Sequence, residues 1–255
     1  MSASASGAHD HGHHWEVSAA PLLAVLGIFF LLPLGFPAFF VYGSATLGAI
    51  CAGLGVPLLL WGVAKWVSEG INQKPLMEGL SPVAMPTFIV SEIFIFLSLF
   101  SAYWMFRLGA DVWPPEGSVT MPTTLPLIMT VLLVSSSITI HIGEEKLEHG
   151  DIGGFRNYLW LTLLLGGAFL GCTVYEYNHL IHVGFIPSTN AFSTAFFSIT
   201  GFHASHVLVG LLAFVAIMLP ALGGKYNIYF VRSVSIYWHF VDAVWFFVVS
   251  QIYFW

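Results

Sequence analysis

The sequence predicts an all-α polytopic membrane protein with seven transmembrane helices. Hydrophobic residues make up 57% of the 255 positions, and charged residues make up only 8%. Because soluble domains average about 25% charged residues, lipid is the expected solvent for most of this chain. Residues 17–64 contain no Asp, Glu, Lys or Arg, which is far longer than the roughly 20 residues of one crossing. Backbone polar groups in lipid must be satisfied internally, so these runs are predicted to be helical.

The uncharged run at 17–64 is expected to hold the first two helices. Tyr42-Gly43-Ser44 is the natural break between them, and the second helix should end near residues 66–69. Pro33 and Pro37 should kink the first helix near its outer end, because proline removes a backbone donor. The five further spans are predicted at about residues 82–108, 122–147, 155–180, 191–219 and 232–255.

The chain is expected to have three parts that act as a single functional domain. These are a His-rich tail at residues 1–18, two transmembrane helices at 19–70 and a five-helix transmembrane bundle at 71–255. Basic residues mark the inner side of a membrane protein, and six of seven fall on one side of the predicted spans. The N-terminus is therefore predicted inside and the C-terminus outside. The six are Lys65, Lys74, Lys146, Arg156, Lys225 and Arg232, and the seventh is Arg107.

Glu92 is the most informative residue in the predicted spans. It is the only Asp, Glu, Lys or Arg between Ser81 and Arg107. A charged side chain near the middle of a span costs roughly 2.5–3.5 kcal/mol on insertion scales. Two interpretations remain open from the residues alone. Glu92 is either a neutral or hydrogen-bonded structural carboxyl, or a group that handles protons or contacts lipid.

Other polar side chains are predicted at overlapping depths in the later spans. His203 and His206 share one helical face, as do His239 and Asp242, because residues three apart are neighbours on a helix. His203 and His206 are either packing residues or ligands of a haem or metal, and a metal site requires three or four ligands. His239 and Asp242 can form a local structural pair between helices. Glu176 is predicted near the outer end of the fifth span.

The cysteines and the net charge exclude other classes of site. Cys51 and Cys172 lie in apolar runs, which predicts neither a disulfide nor a metal site. A net charge of −6 spread over the loops argues against nucleic-acid binding.

The N-terminal tail carries a histidine cluster. Free histidine titrates near pH 6.5, so a cluster on the inner surface can collect and pass protons. The alternative is a tail with adventitious metal affinity. The cluster consists of His9, His11, His13 and His14.

Five short motifs resemble one family, namely subunit III of the haem–copper cytochrome oxidases. The resemblance runs from about Pro21 to Trp255 and keeps the order and spacing of all seven spans. Its most specific parts are the YWHFVD segment and the two histidines of TGFHASHV. The motifs are Ser91-Glu92 within IVSEIFIF, WPPEG at 113–117, Tyr175-Glu176-Tyr177, TGFHASHV at 200–207 and YWHFVDAVW at 237–245.

The resemblance implies an architecture and a set of partners. The first two helices would splay from the five-helix bundle, and the V-shaped cleft between them would hold phospholipids. This chain would carry no haem, copper or catalytic residue, because haem a and copper would be on partner subunits. It would pack mainly against oxidase subunit I, in a complex that also contains subunit II. Glu92 matches the buried carboxyl of the family.

Some positions depart from the family pattern. Ala204-Ser205 separates the histidines of the sixth span, and Glu144, Glu145 and Lys146 occupy positions where histidines are expected. Few basic residues lie near the end of the second span. Lys65 and Arg232 are therefore the candidates for binding lipid headgroups.

The resulting functional prediction is a non-redox subunit of a proton-pumping terminal oxidase that reduces O₂ to water. It would stabilise the catalytic subunit, bind phospholipid and assist proton uptake. The electron donor stays open between cytochrome c and quinol. Rival classes are a stand-alone proton or ion carrier that uses Glu92 and Asp242, and a membrane cytochrome with histidine-ligated haem. A bacterial plasma membrane is favoured over a mitochondrial inner membrane by the divergent loops and the His-rich tail.

Overall fold

The computed structural model describes residues 18–40, 42–72 and 80–255. Every regular element in these ranges is helical, and seven helical spans are long and apolar enough to cross a membrane. The prediction of an all-α protein with seven transmembrane spans is therefore confirmed. The tail residues His9, His11, His13 and His14 lie outside the described residues, as does Lys74.

The first span is built from three short helical segments, and the other six spans each follow one main helix. Pro33 lies inside a π-helical segment of the first span, where a missing proline N–H is accommodated by the wider turn. Helix boundaries agree with the predicted spans to within a few residues. The elements are α1 (Ala20–Phe29), a π segment (Phe30–Gly35), α2 (Phe36–Phe40), α3 (Ala45–Asn72), α4 (Leu80–Leu108), α5 (Thr124–Glu148), α6 (Ile152–His182), α7 (Ala191–Leu222), α8 (Ile228–Val249) and a closing π turn (Ser250–Phe254).

Polar residues define where three of the helices begin. Asn190 and Ser193 form a reciprocal capping box at the start of α7, in which each side chain accepts the other residue's backbone N–H at 2.9 Å. Asp151 caps α6, and the Asn227 side chain accepts backbone N–H groups at the start of α8. These caps satisfy N–H groups that have no partner within the helix.

The chain divides into two compact units, one ending at Glu69 and the other beginning at Gly70. In the first unit, α1 and α3 cross with their backbones in contact. A Cβ added to Gly27 would lie 2.6 Å from the Leu59 nitrogen, and one added to Gly62 would lie 2.6 Å from the Ala24 nitrogen. Small residues allow this close approach, which is how helices associate in membranes without a hydrophobic driving force. The splay of the first two spans stays a prediction.

The second unit is a five-helix bundle in which α8 is the most enclosed span. This helix packs against α4, α5 and α7. Trp238 of α8 is fully buried, and its indole N–H donates to the Ser136 hydroxyl of α5 at 3.0 Å. Its ring lies over Gly166 of α6 and Gly210 of α7, where an added Cβ would approach the ring to 3.0 and 2.7 Å. One side chain thus joins four helices at the middle of the bundle.

Candidate functional site

Glu92 and His206 form a hydrogen-bonded pair between α4 and α7. The Oε2 atom of Glu92 lies 3.0 Å from Nε2 of His206, and the two side chains are only 12% and 10% exposed. Glu92 lies four residues from the midpoint of its span, about 6 Å along the axis. His206 lies at the middle of its own span. The isolated carboxyl of the sequence therefore has a partner at the same depth.

The hydrogen bonds of His206 determine what the pair can do chemically. Its Nδ1 lies 2.8 Å from the Phe202 carbonyl oxygen, which only accepts, so Nδ1 carries a proton. Nε2 and the Glu92 carboxyl then share one further proton. The pair exists either as a carboxylic acid donating to imidazole or as an imidazolium donating to a carboxylate. Both forms are neutral overall, which suits an apolar surrounding.

Aromatic rings enclose this pair. Phe96 and Phe202 lie 5.1 and 4.5 Å from the His206 ring, measured between centroids. Tyr237 stacks on the same imidazole at 6.3 Å, and its hydroxyl donates to the His206 carbonyl oxygen at 3.2 Å. The imidazole is therefore fixed in orientation by α4, α7 and α8 together.

His203 has a different environment from His206, although both lie on α7. It is fully buried and stacks on Trp245 at 5.1 Å, with the edge-on ring of Phe169 at 5.8 Å. Neither ring nitrogen has a hydrogen-bond partner among the described residues. No group of three His, Cys, Asp or Glu side chains within the described ranges is arranged to hold a metal.

The structure does not bring His239 and Asp242 into one environment. Asp242 is buried beside the Ser137 hydroxyl of α5, whereas His239 is exposed on the outward side of α8. Residues at i and i+3 differ by about 60° around a helix axis. Here that rotation is enough to place Asp242 on the buried face of α8 and His239 on its exposed face.

Glu176 lies near the C-terminal end of α6, apart from the Glu92–His206 pair. Its side chain is buried, and its Oε2 accepts the Tyr253 hydroxyl at 2.8 Å. The neighbouring Tyr177 hydroxyl lies 2.6 Å from Oγ1 of Thr200. That threonine already donates to the Phe196 carbonyl oxygen, so Tyr177 is the donor. These bonds join α6 to the closing π turn and to α7.

Both lipid-headgroup candidates are engaged in ion pairs. Lys65 lies 4.0 Å from Glu69 in the next turn of α3. Arg232 contacts Glu144 through Nε at 3.4 Å and Glu148 through Nη2. The sequence alone did not predict that Arg232 forms ion pairs with Glu144 and Glu148. The pattern that could have predicted them is the opposite charge of these residues, because α5 ends and α8 begins on the same side of the membrane.

Known proteins resemble this chain over most of its length. The family model described as cytochrome c oxidase subunit III matches residues 23–255. A cytochrome c oxidase subunit 3 from Thermostichus vulcanus is 37% identical over 65% of this chain and 83% of its own length. Those from Mycosarcoma maydis and Allomyces macrogynus are 32% and 31% identical, over 82% and 96% of this chain and 80% and 93% of their own lengths. With its seven apolar spans and the match across nearly all of them, the chain belongs to the cytochrome c oxidase subunit III family.

Proposed function

We propose that this chain is a non-redox subunit of a proton-pumping terminal oxidase and that it stabilises the catalytic subunit during turnover. The observation that carries the proposal is the Glu92–His206 pair. Both members use their polar atoms to join α4 to α7, and aromatic rings enclose them. Such a pair holds helices in register and keeps one proton without net charge, which suits a supporting subunit.

The redox chemistry is assigned to partner subunits. Haem a and copper would be bound by subunits I and II, and oxygen would be reduced to water there. The two histidines of α7 support this division. Both ring nitrogens of His206 are hydrogen-bonded, one to Glu92 and one to the Phe202 carbonyl oxygen. The His203 ring packs against Trp245 and Phe169. The main contact of this chain would be subunit I.

Phospholipid binding is the second part of the proposed role. Lipids would lie in a cleft between the first two spans and the five-helix bundle, as the family resemblance implies. Lys65 and Arg232 would meet the headgroups. Each is already paired with a carboxylate, so a phosphate would have to compete with that carboxylate or bind alongside it.

The membrane is proposed to be a bacterial plasma membrane, with the N-terminus on the cytoplasmic side. The electron donor would be cytochrome c, with quinol as the alternative. Six basic residues on one side of the spans and one on the other support this orientation.

Removing this chain from the assembled oxidase tests the supporting role. We expect the depleted enzyme to start at nearly the same rate of oxygen consumption but to lose activity during sustained turnover. Re-adding the purified chain with phospholipid should restore the lifetime. Oxygen consumption followed over many turnovers is the measurement. An unchanged lifetime after depletion contradicts the proposal.

The histidine tail is proposed to speed proton delivery at the inner surface. Free protons are scarce at alkaline pH, and imidazoles, which ordinarily titrate near pH 6.5, can hold and pass protons there, so the tail should matter most at alkaline pH. Deleting residues 1–14 should lower turnover at pH 8 more than at pH 6. A truncated enzyme with the same turnover–pH profile as the full-length enzyme would remove this role.

A further inference from the structure

His203 is a polar side chain that its own chain encloses completely. It is 0% exposed, and its ring packs against Trp245 of α8 and Phe169 of α6. It lies about one helical turn from His206, which is at the middle of the same span. Because no part of the ring reaches the outside of the bundle, neither lipid nor a partner subunit can contact it.

Both ring nitrogens of His203 require a hydrogen-bond partner. In a neutral imidazole one nitrogen donates and the other accepts, and neither has a partner among the described residues. His206 differs, because its Nδ1 lies 2.8 Å from the carbonyl oxygen of Phe202, four residues earlier on the same helix. Nearly all buried polar groups in folded proteins have a partner, since an unpaired one destabilises the fold.

The side chains around His203 do not supply this partner directly. The hydroxyl of Thr200, one turn earlier on α7, is bonded to the Tyr177 hydroxyl and to the Phe196 carbonyl oxygen, each at 2.6 Å. A metal ion needs three or four ligands, and no group of three His, Cys, Asp or Glu side chains in the described part of the chain could hold one. Water is small, and it both donates and accepts, as the two nitrogens require.

Each ring that packs on His203 has a buried polar residue about one turn away on its own helix. Thr173 follows Phe169 on α6, and its hydroxyl donates to the Phe169 carbonyl oxygen at 3.1 Å. The threonine oxygen can therefore still accept a hydrogen bond. Asp242 precedes Trp245 on α8, and its buried Oδ1 has no partner within the described residues. A buried water makes about three hydrogen bonds, and acceptors for them thus lie on both neighbouring helices.

We propose that His203 is the centre of an internal hydration site. Buried water bonds to its ring nitrogens and bridges them to the Thr173 hydroxyl of α6, the Asp242 carboxyl of α8, or both. The water is then a fixed part of the bundle that completes the hydrogen bonds between three helices. Folded proteins hold about one buried water per 27 residues. The inference does not depend on the proposed function, because it concerns the interior of this chain alone.

A high-resolution density map of the assembled oxidase tests this site, at a resolution where ordered water is visible elsewhere in the complex. We expect a water peak about 2.7–3.2 Å from a ring nitrogen of His203 and within hydrogen-bond distance of Thr173 or Asp242. A well-defined imidazole with no such peak contradicts the inference. Direct bonds from both ring nitrogens to protein atoms, or a peak that contacts neither Thr173 nor Asp242, also contradict it.

Replacing His203 with phenylalanine distinguishes a hydrated imidazole from an unpaired one. His203→Phe keeps a ring against Trp245 but loses the bonds to water, so retention of the chain in the oxidase after mild heating should fall about two- to tenfold. For an unpaired imidazole the same exchange would raise retention, because it removes a buried polar group that has no partner.

The matched control for this variant is His179→Phe, the same exchange at an exposed histidine of α6. Its retention should equal that of the unmodified chain. Retention of His203→Phe at or above the unmodified level overturns the inference. A loss in His179→Phe as large as that in His203→Phe does so as well.

Discussion

Replacing His206 with leucine is expected to weaken the junction between α4 and α7 and release this chain from the oxidase at lower temperature. The exchange leaves the Glu92 carboxyl, which is 12% exposed, without the Nε2 partner it now has at 3.0 Å. Leaving a buried polar group unpaired costs about 1–3 kcal/mol. The measurement is the temperature at which half of the chain has dissociated from the purified complex.

Two matched variants separate the hydrogen bond from the proton. Glu92→Gln keeps a donor for His206 Nε2, because the amide N–H₂ can replace the carboxyl proton. We expect dissociation close to that of the unmodified complex. The double variant Glu92→Leu with His206→Leu removes both polar partners, and it should be milder than His206→Leu alone. Normal assembly of Glu92→Gln with loss of sustained turnover or proton yield would contradict a purely structural pair.

Truncating Trp238 to alanine is expected to have the largest effect on the stability of the bundle. The change removes a fully buried indole that lies over Gly166 and Gly210. The centroid of that ring lies 5.2 Å from the centroid of the Phe214 ring. Large-to-small core exchanges of tryptophan cost about 3–5 kcal/mol, because a cavity remains. We expect little folded chain in the membrane, measured as the amount recovered in mild detergent.

Two further exchanges give the scale for this effect. Trp238→Phe keeps most of the ring but loses the hydrogen bond to Ser136, which is worth about 0.5–1.5 kcal/mol, so folded protein should still be recovered. Trp160→Ala removes an equal side chain that is 50% exposed on α6, and its recovery should match the unmodified chain. Similar recovery of Trp238→Ala and Trp160→Ala would refute the central role of Trp238.

Helix number and approximate bounds could be predicted because hydropathy along a single sequence reports contact with lipid. The start of α8 is predicted at about Arg232, a charged residue, but the helix begins at Ile228 after the Asn227 cap. Charge marks the end of the apolar core, whereas a cap marks the end of the helix, and the two need not coincide. Helix α6 likewise begins earlier than the predicted Phe155, directly after its cap residue Asp151.

The pairing within the candidate site was only partly accessible from sequence. Counting residues from the span ends predicted that Glu92 and His206 lie at overlapping depths. It did not predict which faces of α4 and α7 meet, because rotation about each helix axis is fixed by packing with several neighbours. His239 illustrates the same limit. Its spacing from Asp242 predicts that the two residues share a helix face, but Asp242 is buried and His239 is exposed.

The most direct test of the account is an absorption spectrum taken before and after separating this chain from its partners. Isolated through an affinity tag on this chain, the complex should show the Soret band of haem a and contain copper. After dissociation, both should remain entirely with the partner subunits. A Soret band that stays with the isolated chain, or an isolated complex with no haem-bearing partner, would contradict the account.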